Sequence, residues 1–141
     1  MNRGFRSFGY SCEQSGCFNQ KHRMKFGIFY DALPGKISCT DVDATVEVNG
    51  SFLFLESKSG EPRPLPTGQR LYFERLTALS QRITAVILCG DCENMEFHAL
   101  LVVHNGRIGD WQPTTTEILQ QRIRRWALRA QGVAVLRRSA A

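Results

Sequence analysis

The sequence predicts an α/β protein in which helices flank a mixed β-sheet, with a strand and a basic helix at its C-terminal end. Three observations predict it. Residues 40–58 form two β-rich runs around Asn49-Gly50. That dipeptide is the strongest short hairpin signal, because a type I′ turn needs positive φ at both central positions. A helical apolar pattern at 67–81 then separates the second run from another apolar run, Ile83 to Cys89. A strand–helix–strand crossover is parallel and right-handed whereas the hairpin is antiparallel, so the sheet is mixed. Finally, a strand-like stretch at 95–103 precedes an arginine-rich segment with helical character.

Each element has its own warrant. Residues 1–10 carry Gly, Arg and Ser and read as a flexible arm. Residues 18–31, with Phe18, His22, Phe26, Phe29 and Tyr30, predict an irregular helix weakened by Gly27 and stopped by Leu33-Pro34-Gly35. The hairpin follows. Gly60, Pro62, Pro64, Pro66 and Gly68 make residues 59–68 an exposed loop. Leu71, Tyr72, Phe73, Leu76 and Leu79 give the next helix its apolar face. His104-Asn105-Gly106-Arg107 reads as a turn and residues 111–113 as a loop. Thr114–Thr116 can cap a last helix that runs to about Ala130, and residues 137–141 read as a flexible tail. At 141 residues and 43% hydrophobic content the chain suits one core, assigned to residues 11–136. No run of 18 apolar residues exists, so no membrane span is predicted, and the basic N-terminus lacks an apolar signal region. A cytoplasmic protein is expected.

The hairpin concentrates charge. A two-residue turn sets Val48 against Ser51, which puts Asp43 opposite Glu56 and Asp41 opposite Lys58. Facing residues of an antiparallel pair share a face, with Cβ atoms roughly 4.5–5.5 Å apart, and like charges so placed destabilise a sheet. A hard divalent cation such as Mg²⁺, which takes one or two carboxylates plus water and substrate phosphate, would compensate. The other face carries Val42, Ala44, Val46, Val48, Leu53 and Leu55, which suits a core. The plain alternative is a solvated outer face with an ordinary Asp41–Lys58 ion pair.

Asp43, a hairpin, then Glu56-Ser57-Lys58 resembles the metal-binding core of the PD-(D/E)XK nuclease superfamily: an acidic residue on one strand, Glu-x-Lys on the next, and a helix after it. The resemblance covers roughly residues 18–89. The Pro of the family name is absent, and Val42 precedes Asp43. It implies a restriction-endonuclease-like core, α-β-β-α-β, in a small stand-alone nuclease of the restriction-endonuclease or Holliday-junction-resolvase kind, such as phages encode. The implied activity is DNA phosphodiester hydrolysis with Mg²⁺ or Mn²⁺. Asp43, Glu56 and the backbone carbonyl of Ser57 would hold the ion, and Lys58 would position or activate the attacking water. Asp41 is the alternative ligand should a β-bulge shift the register. Some nucleases of this superfamily begin the next helix with a glutamine followed four residues on by Tyr. Here Gln69 is followed by Tyr72 and Phe73, which read better as core. Glu13 is a conceivable upstream carboxylate ligand.

Charge supplies a second line of argument. The net charge is +5, and six arginines lie between Glu117 and Arg138 against one acid. Arg63, Arg70, Arg75 and Arg82 decorate the loop and the middle helix. Arginine suits phosphate, and charge neutralisation dominates sequence-independent DNA binding. DNA contacts are expected from Gln69, Arg70, Arg122, Arg125 and Arg129, with a solvated helix face as the alternative. By analogy with small nucleases, the 95–103 strand or the last helix could supply a homodimer interface.

Two other function classes fit. One is a non-catalytic DNA- or protein-binding module on a nuclease-like fold, an accessory subunit or phage-type inhibitor. The other is a small zinc protein. Five cysteines are an odd number and argue against a complete disulfide framework. Cys89-Gly-Asp-Cys92, Cys12 and Cys17, with His22, His98 and His104, offer zinc ligands, yet Cys89 ends an apolar run and reads as a small buried hydrophobe. A redox CxxC is disfavoured because no helix begins there.

Overall fold

The computed structural model describes residues 24–139, with side chains through residue 132. The predicted arm 1–10, residues 18–23 of the first helix, Cys12, Glu13, Cys17 and His22 lie outside the described residues, as do residues 140 and 141. The chain divides into two compact units, Met1–Thr40 and Asp41–Ala141.

In the first unit the helix expected over 18–31 is reduced, among the described residues, to α1, Gly27–Tyr30, with no side-chain cap. One uncapped turn that starts on Gly cannot propagate. The Phe29 carbonyl accepts from both Ala32 and Leu33 N–H at 3.1 Å, and Gly35 (φ 65°) turns the chain away.

The second unit is a six-stranded mixed sheet: β1 Ala44–Val48, β2 Ser51–Ser59, β3 Ile83–Asp91, β4 Glu96–His104, β5 Arg107–Ile108 and β6 Gln112–Pro113. The order is β1-β2-β3-β4-β5, with β6 also on β4. The crossover helix α2, Thr67–Ala78, makes β2 and β3 parallel, and every other pairing is antiparallel. Asn49 and Gly50 have φ 49° and 78°, as the turn requires, and the register runs from Val48↔Ser51 to Ala44↔Leu55. Asn105 and Gly106 (φ 51° and 73°) repeat the device between β4 and β5.

Strand alternation sends side chains to two cores on opposite faces. Leu53, Val86, Leu88 and Leu100 pack with Leu119 of α3, Thr116–Ser139. Ala85, Ile87, Leu101 and Val103 pack with Phe73 of α2. Each large aliphatic or aromatic group so buried contributes roughly 1.5–3 kcal/mol. The hairpin's expected apolar face is only half core. Leu53 is buried and Leu55 partly so, but Ala44 and Val46 are exposed, because β1 is the outermost strand, with no neighbour on its far side among the described residues. α2 ends at Ala78, ahead of the expected Gln81, where the Ser80 hydroxyl accepts the Arg82 N–H at 3.1 Å. α3 is capped by Thr115, whose hydroxyl accepts the Ile118 N–H at 3.2 Å, and runs past Ala130 into the expected tail. Among the described residues no helix is long and apolar enough to cross a membrane.

A bulge between Cys89 and Gly90 brings β4 so close that a Cβ on Gly90 would sit 2.2 Å from the Glu96 carbonyl oxygen. The bulge also anchors the loop that leaves β2. Gly60 N–H donates to the Gly90 carbonyl at 3.1 Å, and the Cys89 thiol donates to the Gly60 carbonyl at 2.8 Å.

Candidate active site on the hairpin and the crossover helix

Alternation along β2 puts Phe54, Glu56 and Lys58 on the face that α2 covers. Glu56 is 7% exposed. Its Oε1 accepts the Lys58 ammonium at 2.8 Å and the Gln69 amide, from the first turn of α2, at 2.7 Å. A buried carboxylate costs several kcal/mol unless it is paired and hydrogen-bonded. These two donors satisfy one oxygen only. Glu56 Oε2 and Gln69 Oε1 are both buried with no partner among the described residues. Two orphaned oxygens on one bonded pair of side chains are the hard donors that a divalent cation takes.

Asp43 behaves otherwise than the spacing predicts. The paired register stops at Ala44↔Leu55. The next hydrogen-bonded rung would join Val42 to Ser57. Instead, Asp43 bends out of the strand, and its Oδ2 accepts the Ser57 N–H at 2.7 Å and the Ser57 hydroxyl at 2.6 Å. The expected head-on opposition of Asp43 and Glu56 is therefore replaced by a clamp on Ser57, the residue between Glu56 and Lys58. The Ser57 carbonyl points to the same strand edge as its N–H. Asp41 lies ahead of the strand, outside the ladder. The ammonium of Lys58, which the register pointed at Asp41, is held by Glu56.

A pocket of about 420 Å³ opens beside Lys58, walled by Arg63, Leu65, Thr67, Cys89 and Trp111. The Trp111 indole N–H donates to the Arg63 carbonyl at 3.1 Å and holds the Pro-rich loop over it. Burial, and next the carboxylate of Glu61, pushes the Cys89 thiol above its usual pKa. The sequence singled out Arg63 for phosphate and weighed Cys89 as a zinc ligand, but it placed neither beside Lys58, and it read Trp111 only as part of a loop. The available signal was topological: Lys58 and Cys89 close the carboxyl ends of two parallel strands, where open α/β sheets bind ligands.

The residues expected to contact DNA divide. Gln69 and Arg70 lie at the start of α2, with Arg70 bonded to Glu74 at 3.2 Å. Arg122, Arg125 and Arg129 lie on α3, across the sheet, and Arg122 bonds Gln112 Oε1 at 3.2 Å. The structure does not gather the five. The two histidines among the described residues find other partners: His98 faces Glu61 at 3.4 Å and His104 faces Thr84 at 3.3 Å. Cys39, Cys89 and Cys92 are free thiols. Among the described residues no three His, Cys, Asp or Glu side chains converge. Comparison with models of protein families, with curated proteins and with solved structures finds no match.

Proposed function

We propose that this protein is a divalent-metal-dependent nuclease that hydrolyses DNA phosphodiester bonds on a restriction-endonuclease-like core. One observation carries the reading: a buried Glu56 carboxylate, bonded by Lys58 and Gln69 on one oxygen, keeps its other oxygen buried and unpartnered. An acid with a purely structural role would have both oxygens satisfied. Oxygen donors of this kind fit Mg²⁺ or Mn²⁺. Glu56, Asp43 and the Ser57 carbonyl would hold the ion, with the Gln69 amide oxygen as a further donor.

Bound there, the ion would polarise the scissile phosphate and lower the pKa of a water molecule. The chain's own groups do the rest. Lys58 reaches both the Glu56 carboxylate and the adjoining pocket, so it can orient the attacking water and offset charge that develops on the phosphate. Gln69 fixes the carboxylate's rotation. Asp43 holds the Glu56-Ser57-Lys58 strand edge in place. Arg63 and Arg70, on the same side, can take flanking phosphates.

Purified wild type and Glu56→Ala, each with EDTA, Mg²⁺ or Mn²⁺, would be given supercoiled, linear, single-stranded and four-way-junction DNA. The expected result is metal-dependent cutting, reduced at least about 100-fold in the variant, whose circular dichroism stays native. Undiminished cutting by Glu56→Ala sinks the assignment. The Asp43 clamp on Ser57 favours one competitor, a non-catalytic DNA- or protein-binding module on the same fold. That module would bind with or without metal and be indifferent to Glu56→Ala.

A further inference from the structure

A second cleft lies across the sheet from Glu56, between β2 to β4 and α3, with a volume of about 790 Å³. That size is in the range of small-molecule sites. Its accessible apolar lining is Val102 of β4 with Ile123 and Trp126 of α3, all partly exposed, laid over the buried Leu53, Val86 and Leu100. Its mouth is cationic: Arg82, Arg122 and Arg129 line it, and no Asp or Glu does. None of the three arginines has an acidic partner among the described residues.

Arg82 is the telling residue. Its Nη2 donates to the Asn49 carbonyl at 3.0 Å, which fixes the guanidinium at the hairpin turn, yet its Nε is buried with no acceptor. A buried cationic donor left unpaired is costly. An acid group at the mouth would pair with the guanidinium as a counter-charge and neutralise part of the excess positive charge. An apolar lining beneath a cationic rim asks for one molecule with both characters.

We infer that this cleft binds a single-chain anionic amphiphile, a long-chain carboxylate whose tail lies on the apolar lining and whose acid group meets Arg82 and Arg129. Inorganic phosphate would meet the arginines but leave Val102, Ile123 and Trp126 uncovered, and a neutral alcohol would cover them but leave the arginines without a counter-charge. The site is separate from Glu56, so it stands or falls independently of the nuclease reading.

The test is titration calorimetry and native mass spectrometry of the full chain with laurate below its micelle concentration. Dodecanol, dodecylammonium and inorganic phosphate serve as comparisons, and Arg82→Gln and Arg129→Gln as variants checked for native circular dichroism. One laurate per chain is expected, with saturable binding. Each variant weakens it about tenfold, and each comparison compound binds at least about tenfold more weakly. Absence of saturable laurate binding overturns the inference, and so does laurate binding unaffected in both variants. Equal binding of dodecanol or dodecylammonium would mean apolar partition without recognition of the acid, and overturns it too.

Discussion

Glu56 and Cys89 are both buried polar residues near the carboxyl ends of the parallel strands, and their environments treat them in opposite ways. Glu56 receives two donors on one oxygen and none on the other, whereas the Cys89 thiol donates to the Gly60 carbonyl and is kept protonated by burial. The raised thiol pKa fixes the sign of a pH effect. Above the unfolded-state value of about 8.5, the unfolded chain loses this proton before the folded chain does, so stability falls as pH rises through that region and is intact below it. In urea titrations from pH 7 to 10, the stability gap between wild type and Cys89→Ala should therefore narrow above about pH 8.5. A gap constant with pH would contradict the burial account. Part of this was legible beforehand. The i, i+2 spacing puts Glu56 and Lys58 on one face, and the apolar run before Cys89 buries it. The Asp43 clamp was not legible, because alternation gives the direction of a side chain in a strand but not the point where a carboxylate outcompetes a backbone carbonyl for the next N–H. Gln69 reaching Glu56 depends on where α2 lands, which no local pattern contains.

Among the elements, α2 is fixed to the sheet by more than apolar contact. Fully buried Thr77 donates to the Phe73 carbonyl at 2.8 Å and accepts the Gly106 N–H, in the β4–β5 turn, at 3.1 Å. One hydroxyl thus joins the crossover helix to the second type I′ turn. Thr77→Val keeps the shape and leaves the Gly106 N–H unpaired, which should cost about 1–3 kcal/mol. The urea midpoint should fall with an unchanged slope, and the Gly106 amide should exchange faster with solvent; an unmoved midpoint would show that water replaces the hydroxyl. The two turns were readable from their Asn-Gly pairs. The strands that follow the second turn were not, since two residues of β5 and two of β6 are too short to show a period. Helix ends shifted for local reasons, the Ser80 hydroxyl at one and continued helix beyond Ala130 at the other.

At the scale of the whole chain, a net charge of +5 says that phosphate is a plausible partner but not where it would lie. The clustering of arginine after Glu117 pointed to the last helix, because sequence proximity is the only proximity a linear chain displays. The fold separates that helix from Glu56 by the thickness of the sheet: Phe54 and Glu56 face α2, while Leu53 and Leu55 face α3. If DNA is cut at Glu56, the phosphates it brings meet Arg70 and not Arg122. Counterion release turns this geometry into a slope. Each phosphate contact contributes about one unit to the fall of log affinity with log salt concentration. With Glu56→Ala as the binding-competent background, fluorescence anisotropy on a labelled duplex between 50 and 200 mM NaCl should show Arg70→Ala lowering that slope by about one, while Arg122→Ala leaves it unchanged. The reverse pattern would put DNA on the α3 face, take it away from Glu56, and leave the buried carboxylate without the substrate proposed for it.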